Sequence, residues 1–292
     1  MGMEGDLISY ETATEIHYLK ANAEGIIFNK KVYTDENGYR VPNINFKYDK
    51  EKDSIFFIGD STTFGNGVLE NNSFVGLLRD NFNNLNFINS SVPGYNVSHF
   101  DKKLKSLDKF NRIKKIFYIY TLNDISKETE IKTTNVEHQR IKRLRDIRIT
   151  NFINTFFRDK SVFYMWFKGT LTDPSERYFK YEYNVYKNKK NLESIKNYIH
   201  KAKTYAEKKN IDFAIVILPY EFQTRDNNCS GEFMTPQLLL VDILTTMSVE
   251  FHDFTRDFCQ YKNPKELFYK FDPQHLSLEG HSLVFSLLKN YI

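Results

Sequence analysis

Cysteine is almost missing: the 292 residues hold two, Cys229 and Cys259. Neither lies in a CxxC or Cys/His pattern, so a zinc site is not expected. Whether the two pair or stay free is open from sequence. Glycine and proline are scarce, at 12 and 7, and there is no low-complexity segment or internal repeat. Charge of one sign is lacking too. Lys and Arg number 41 against 37 Asp and Glu, a net +4. A nucleic-acid partner would need a clustered basic footprint, and none is expected. No apolar run approaches the roughly 18 residues that span a bilayer. The opening "MGMEGDLISYETATEIHYLK" has no apolar h-region, so it is not a signal peptide. The chain as given reads as soluble. A cell-envelope or extracytoplasmic place would require a signal or anchor already removed, and the localisation stays unassigned.

Motifs are also missing. No G-x-x-x-x-G-K-[ST] occurs, which excludes a P-loop. The seven histidines (17, 99, 138, 200, 252, 275, 281) show no i, i+4 pair around a glutamate, so no metal and no cofactor is expected. No G-x-S-x-G surrounds Ser61, against an α/β-hydrolase elbow.

What is present is apolar and aromatic. Hydrophobic residues make up 41%, ample for a core, and 16% are aromatic, with 26 Phe and 19 Tyr. Residues 1–50 are polar, with a turn-rich "TDENGYRVPN" around Gly38 and Pro42. They read as an N-terminal extension packed on the main domain, residues 51–292. A rhythm then begins. "SIFFIG" (54–59) is a short continuous apolar run closed by glycine, as in a strand buried on both faces. Strands follow at 85–94, 115–124, 211–220 and 248–254. Between them run helical stripes at 73–82, 97–110, 191–210 and 236–247, with a last helix at 277–292 capped by Ser277. Strands alternating with helices give a three-layer α/β/α domain with a parallel sheet of about five strands. Residues 125–190 break the rhythm as a helical, aromatic insertion. Within it, 137–157 is a basic amphipathic helix candidate. Such a helix suits a cap on the sheet, or contact with a membrane surface or anionic polymer.

Four short elements carry chemistry. Gly59-Asp60-Ser61 follows the first strand, Gly94 the second and Asn123-Asp124 the third, while Asp272 and His275 precede the last helix. Each has a bland reading: Ser61 as a helix N-cap, Gly94 as a positive-φ position, Asn123 as a turn residue, His275 as a capping histidine. Gly-Asp-Ser alone arises by chance in fewer than about a tenth of chains this long, and DxxH in roughly a third. Joint placement at strand ends, where α/β sheets build their sites, decides the matter. A serine hydroxyl attacks well only when a base takes its proton. Histidine suits that task when a carboxylate fixes its tautomer. Asp272 and His275 lie three residues apart, within one tight turn. Developing oxyanion charge needs fixed donors. The backbone N–H groups of Ser61 and Gly94 and the Asn123 amide are the candidates. Asp60 and Asp124 read as loop braces and His281 as structural.

"GDS", Gly94, "ND" and "DPQHLSLEGH", in this order, resemble the SGNH (GDSL-like) hydrolase family from about Ser54 to the C-terminus. The resemblance implies a flavodoxin-like SGNH fold, with Ser61 as nucleophile, His275 as base, Asp272 orienting it, and Ser61, Gly94 and Asn123 forming the oxyanion hole. Two departures stand out. Thr121 occupies a position usually held by glycine, which would tighten the pocket. The first block reads "GDSTTFGNGV", not the lipase-like "GDSL". With "ENGYR" upstream, that variant is similar to bacterial members associated with cell-surface polysaccharides. The implied function is a serine esterase removing small acyl groups, such as O-acetyl, from a carbohydrate. Its partner is then a small-molecule or polysaccharide ester. Two other readings are an O-acyltransferase using the same triad and a catalytically silent glycan-binding module.

Overall fold

The structure, a computed structural model, describes residues 3–4, 7–11, 16–125, 173–225 and 228–292. The basic helix candidate at 137–157 and the only tryptophan lie outside the described residues.

Five parallel strands form the centre. They are β7 (Asp53–Ile58), β8 (Leu85–Asn89), β9 (Ile113–Tyr120), β10 (Asp212–Ile217) and β11 (Glu250–Asp253). Their spatial order is β8-β7-β9-β10-β11, every neighbouring pair parallel. The second strand lies outside the first and the rest follow on its other side. The winding therefore reverses between β7 and β9, and the crevice beyond their carboxyl ends is the topological switch point.

Strand residues alternate between two cores, as the period of two requires. Phe56, Ile58, Ile88, Ile116, Tyr118, Ile215 and Ile217 face one helical layer. It consists of α3 (Phe100–Ser106), α4 (Pro174–Tyr186), α5 (Lys189–Lys209) and α6 (Thr235–Thr246). Ile55, Phe57, Phe87, Phe117, Ile119, Ala214 and Val216 face the other. There α2 (Phe74–Asn81), α7 (Thr255–Gln260) and α8 (Leu278–Leu288) close the core. Ser73 caps α2 and Ser277 caps α8, each accepting from a backbone N–H in the first turn.

The sheet is larger than the sequence suggests. Among the described residues it has nine strands. The four extra ones come from the N-terminal segment: β1 (Met3–Glu4), β4 (Glu24–Ile27), β5 (Lys30–Thr34) and β6 (Arg40–Val41). They add antiparallel beyond β8 in the order β1-β4-β5-β6. Short runs with exposed Lys and Glu do not carry the buried-strand pattern, so a turn-rich reading missed them. A separate hairpin pairs β2 (Ile8–Glu11) with β3 (Ile16–Leu19). A third, smaller core joins this segment to the rest. Leu7, Leu19, Ile27 and Val32 meet Phe64, Val92 and Tyr95. Those last three flank Ser61 and Gly94 in sequence.

Cys229 and Cys259 are disulfide-bonded, Cα atoms 5.9 Å apart. No helix among the described residues is long and apolar enough to cross a membrane.

Candidate active site

At the end of β7 the chain turns within two residues. Gly59 makes this possible. A Cβ there would sit 2.1 Å from the Thr63 hydroxyl and 2.9 Å from the Ile119 carbonyl. Asp60 then caps the four-residue helix α1 (Ser61–Phe64), accepting from Thr62 N at 2.8 Å. The N-cap is thus Asp60, and Ser61 is the first helical residue, its side chain released from capping. The far end of α1 is clamped from the N-terminal segment. Arg40, fully buried, donates to the carbonyls of Phe64, Gly65 (2.7 Å) and Val68 (2.6 Å). Burial pushes its guanidinium down to about 10, still charged at neutral pH. Asn89 Nδ2 adds a bond to the Thr63 carbonyl at 3.1 Å.

The loop before α8 brings Asp272 and His275 to Ser61. Asp272 Oδ1 accepts from the backbone N–H groups of Gln274 (3.0 Å) and His275 (2.8 Å). Its Oδ2 faces His275 Nδ1 at 2.8 Å, and His275 Nε2 faces Ser61 Oγ at 2.8 Å. A carboxylate only accepts, so Nδ1 carries the proton and Nε2 is free to accept from the serine. The loop is anchored by Glu221 N donating to the Pro273 carbonyl at 2.8 Å and Tyr269 N to the His275 carbonyl at 3.0 Å. Burial alone would lower the imidazole. The hydrogen bond and charge of Asp272, with Asp60 behind, outweigh it and raise His275 above the ordinary histidine value. Burial likewise works to raise Asp272, but the His275 contacts and the two backbone donors hold it below the usual carboxylate range.

Asn123 lies in the 3₁₀ turn after β9. Its Nδ2 donates to Asp60 Oδ2 at 2.9 Å, and its Oδ1 accepts from the Thr121 hydroxyl at 2.6 Å. These bonds fix which way the amide points and leave its second N–H for another acceptor. Thr121, the residue in the glycine's usual place, therefore orients the amide. Gly94 follows β8 with φ +85°, a conformation glycine adopts freely. Its loop is tied to the serine's turn by Val92 N donating to the Gly59 carbonyl at 3.1 Å.

Asp60 is the hub that the sequence reading treated only as a brace. Besides Thr62 N and Asn123, it accepts from Gln274 Nε2 at 3.2 Å, so the first, third and last blocks meet on one carboxylate. Asp124 is fully buried, and burial followed by Asp60's charge raises it well above the usual carboxylate value. His281 accepts from Phe74 N at 3.3 Å and stacks on the Phe74 ring. Burial lowers it to about 3, which suits a neutral structural residue. Among the described residues, no group of three His, Cys, Asp or Glu is placed to hold a metal ion.

Two residues that the sequence reading passed over also reach the site. Phe28, at the tip of the β4–β5 hairpin, lies 5.3 Å from His275, centroid to centroid. His17 on β3 donates from Nε2 to the Pro93 carbonyl at 2.7 Å, just before Gly94. No motif marks either, because both belong to hairpins far from the catalytic blocks in sequence.

No family model and no curated protein matches the chain. Solved structures do. An acetyl xylan esterase, AlAXEase, aligns at TM-score 0.49 and 13% identity, over 82% of this chain and 99% of its own. A member of the lipolytic G-D-S-L family from Veillonella parvula aligns at 0.45 and 15%, over 81% and 96%. The lipase/acylhydrolase from Enterococcus faecalis aligns at 0.45 and 13%, over 82% and 96%.

Proposed function

We propose that this protein is a serine esterase that cleaves small acyl esters, O-acetyl groups on a carbohydrate above all, through an acyl-enzyme. The observation that carries the reading is the unbroken chain from Ser61 Oγ through His275 to Asp272, both links 2.8 Å. In the forward step Ser61 Oγ bonds to the ester carbonyl carbon while its proton passes to His275 Nε2. Asp272 stabilises the imidazolium that forms. The carbonyl oxygen gains charge and is met by the Ser61 and Gly94 backbone N–H groups and the free N–H of Asn123. The carbon–alkoxy bond then breaks, and His275 returns the proton to the leaving alcohol. Water repeats the sequence, with His275 again as base, and releases the acid. The carbohydrate assignment rests on the "GDSTTFGNGV" block and the "ENGYR" upstream of it.

The test is to incubate the protein with a fluorophosphonate and weigh it beside Ser61→Ala. One adduct on the wild type alone supports an activated Ser61. No adduct on either, with no hydrolysis of an activated acetyl ester, refutes the esterase reading and favours a silent binding module. Adding a glycan acceptor during turnover separates hydrolysis from acyl transfer, since only transfer yields a newly acylated glycan.

A further inference from the structure

The β4–β5 hairpin is closed by two residues, Phe28 and Asn29, at φ 49° and 60°. Two positive φ values in a two-residue hairpin define a type I′ turn, ordinarily built from Asn, Asp or Gly. A bulky aromatic at its first position is an outlier that other contacts must hold in place. Those contacts are the third core, where Phe28 packs against the cluster of Leu7, Leu19, Ile27 and Val32. The ring is only half-buried. It lies over His275 with the two planes inclined at 52°.

The chemistry of the site says what occupies that neighbourhood. His275 Nε2 takes the proton from Ser61 and must deliver it to the departing alkoxide oxygen. That oxygen therefore comes within hydrogen-bond reach of Nε2, and the alcohol bearing it lies beside the imidazole. The carbonyl oxygen is drawn instead toward Gly94 and Asn123. An aromatic ring against the imidazole accordingly borders the alcohol, not the acyl group. We infer that Phe28 forms the alcohol side of the site and selects esters whose leaving alcohol presents a ring-shaped apolar face, such as a pyranose. The inference rests on the esterase reading and deepens it. A flat face against the open part of the Phe28 ring gains apolar contact, while a short open-chain alcohol leaves the ring bare.

The test compares alcohols at constant acyl group. For wild type, Phe28→Asn and Phe28→Tyr, kcat/KM is measured on ethyl acetate and on an acetylated methyl pyranoside. The asparagine is what a type I′ turn prefers, so the hairpin is kept; a thermal melt checks it. If that variant loses the wild-type transition, Phe28→Leu carries the same comparison. Phe28→Asn is expected to lose about tenfold on the pyranoside, the scale of one removed apolar pocket contact, and to stay within about twofold on ethyl acetate. Phe28→Tyr is expected to restore the pyranoside rate. The ratio of acetyl to butyryl ester on one alcohol should not move. An equal loss on both alcohols would overturn the inference, because Phe28 would then only position His275. A changed acetyl-to-butyryl ratio would overturn it as well, placing Phe28 on the acyl side. If the wild type neither labels at Ser61 nor cleaves either ester, the esterase reading falls and this one with it. If it labels and cleaves while the alcohol ratio is unmoved by Phe28→Asn, this inference alone falls.

Discussion

Asp272→Asn is the substitution whose consequence the geometry fixes most tightly. One carboxylate oxygen accepts from two backbone N–H groups and the other faces His275 Nδ1. In an asparagine, the side-chain oxygen must stay on the two backbone donors, since turning the amide round would set N–H against N–H. The NH₂ group then faces Nδ1 and donates to it. Nδ1 becomes the acceptor, so the imidazole proton moves to Nε2, where it points at Ser61. The base is present, in place and in the wrong tautomer. In a serine triad that error costs about 10⁴ in kcat, or about 5 kcal/mol of transition-state stabilisation. The fold should hardly notice, because both backbone bonds are kept. The pH profile provides a second reading. His275 is raised in the wild type chiefly by Asp272 working against burial. The rising limb of kcat/KM, which follows loss of the imidazolium proton, should therefore lie above the ordinary histidine value of about 6.5. Without the carboxylate, burial dominates and the residual activity should rise at lower pH. Stability follows the same linkage. Stabilisation by the protonated His275 is complete below about pH 6.5 and is lost as pH rises through the higher folded value. Stabilisation by ionised Asp272, whose value is depressed, is present above about pH 3.9 and is lost as pH falls through the folded value. The assay is hydrolysis of an activated acetyl ester from pH 5 to 9. A variant within tenfold of wild type, with an unmoved limb, would refute the assignment of Asp272.

On the proposed role of its amide at the oxyanion, Asn123→Ala should lower kcat by about 10²–10³ with little change in KM; a loss wholly in KM, by steady-state kinetics, would remove it from that role. Arg40→Met should cost about 2 kcal/mol or more in a denaturant melt, because the Gly65 and Val68 carbonyls lose the guanidinium they now meet. Arg40→Lys should rescue little of this, as an ammonium cannot span carbonyls with a planar fork.

Of the central five strands, β7, β9 and β10 were the most legible, because each holds a short, continuous apolar run, the pattern of a sheet covered on both faces. Ser61, Asp272 and His275, which the structure brings within hydrogen-bond distance, could be singled out because each sits where the rhythm breaks, at a strand end or before the last helix. The strands of the first fifty residues were not. Glu24–Ile27 and Lys30–Thr34 expose much of their length, so neither alternation nor a continuous run betrays them. Phe28 left no trace either, since what sets it apart is a turn conformation and a long-range contact. Thr121 looked like a defect in a motif. Its hydroxyl proves to hold Asn123's amide in one orientation.

The clamp of Arg40 beneath the turn that carries Ser61 bears on the order in which the molecule is made. Strand β6 can pair at once with β5 before it, but its other edge waits for β8, through the single register pair Arg40–Asn89. Ser61 is then braced, yet the imidazole it needs lies 214 residues downstream. Contacts so distant in sequence form late, after their loop-closure entropy has been met. On the proposed reading, Ser61 is shaped before its base exists, and gains it only with the loop that carries His275 ahead of α8.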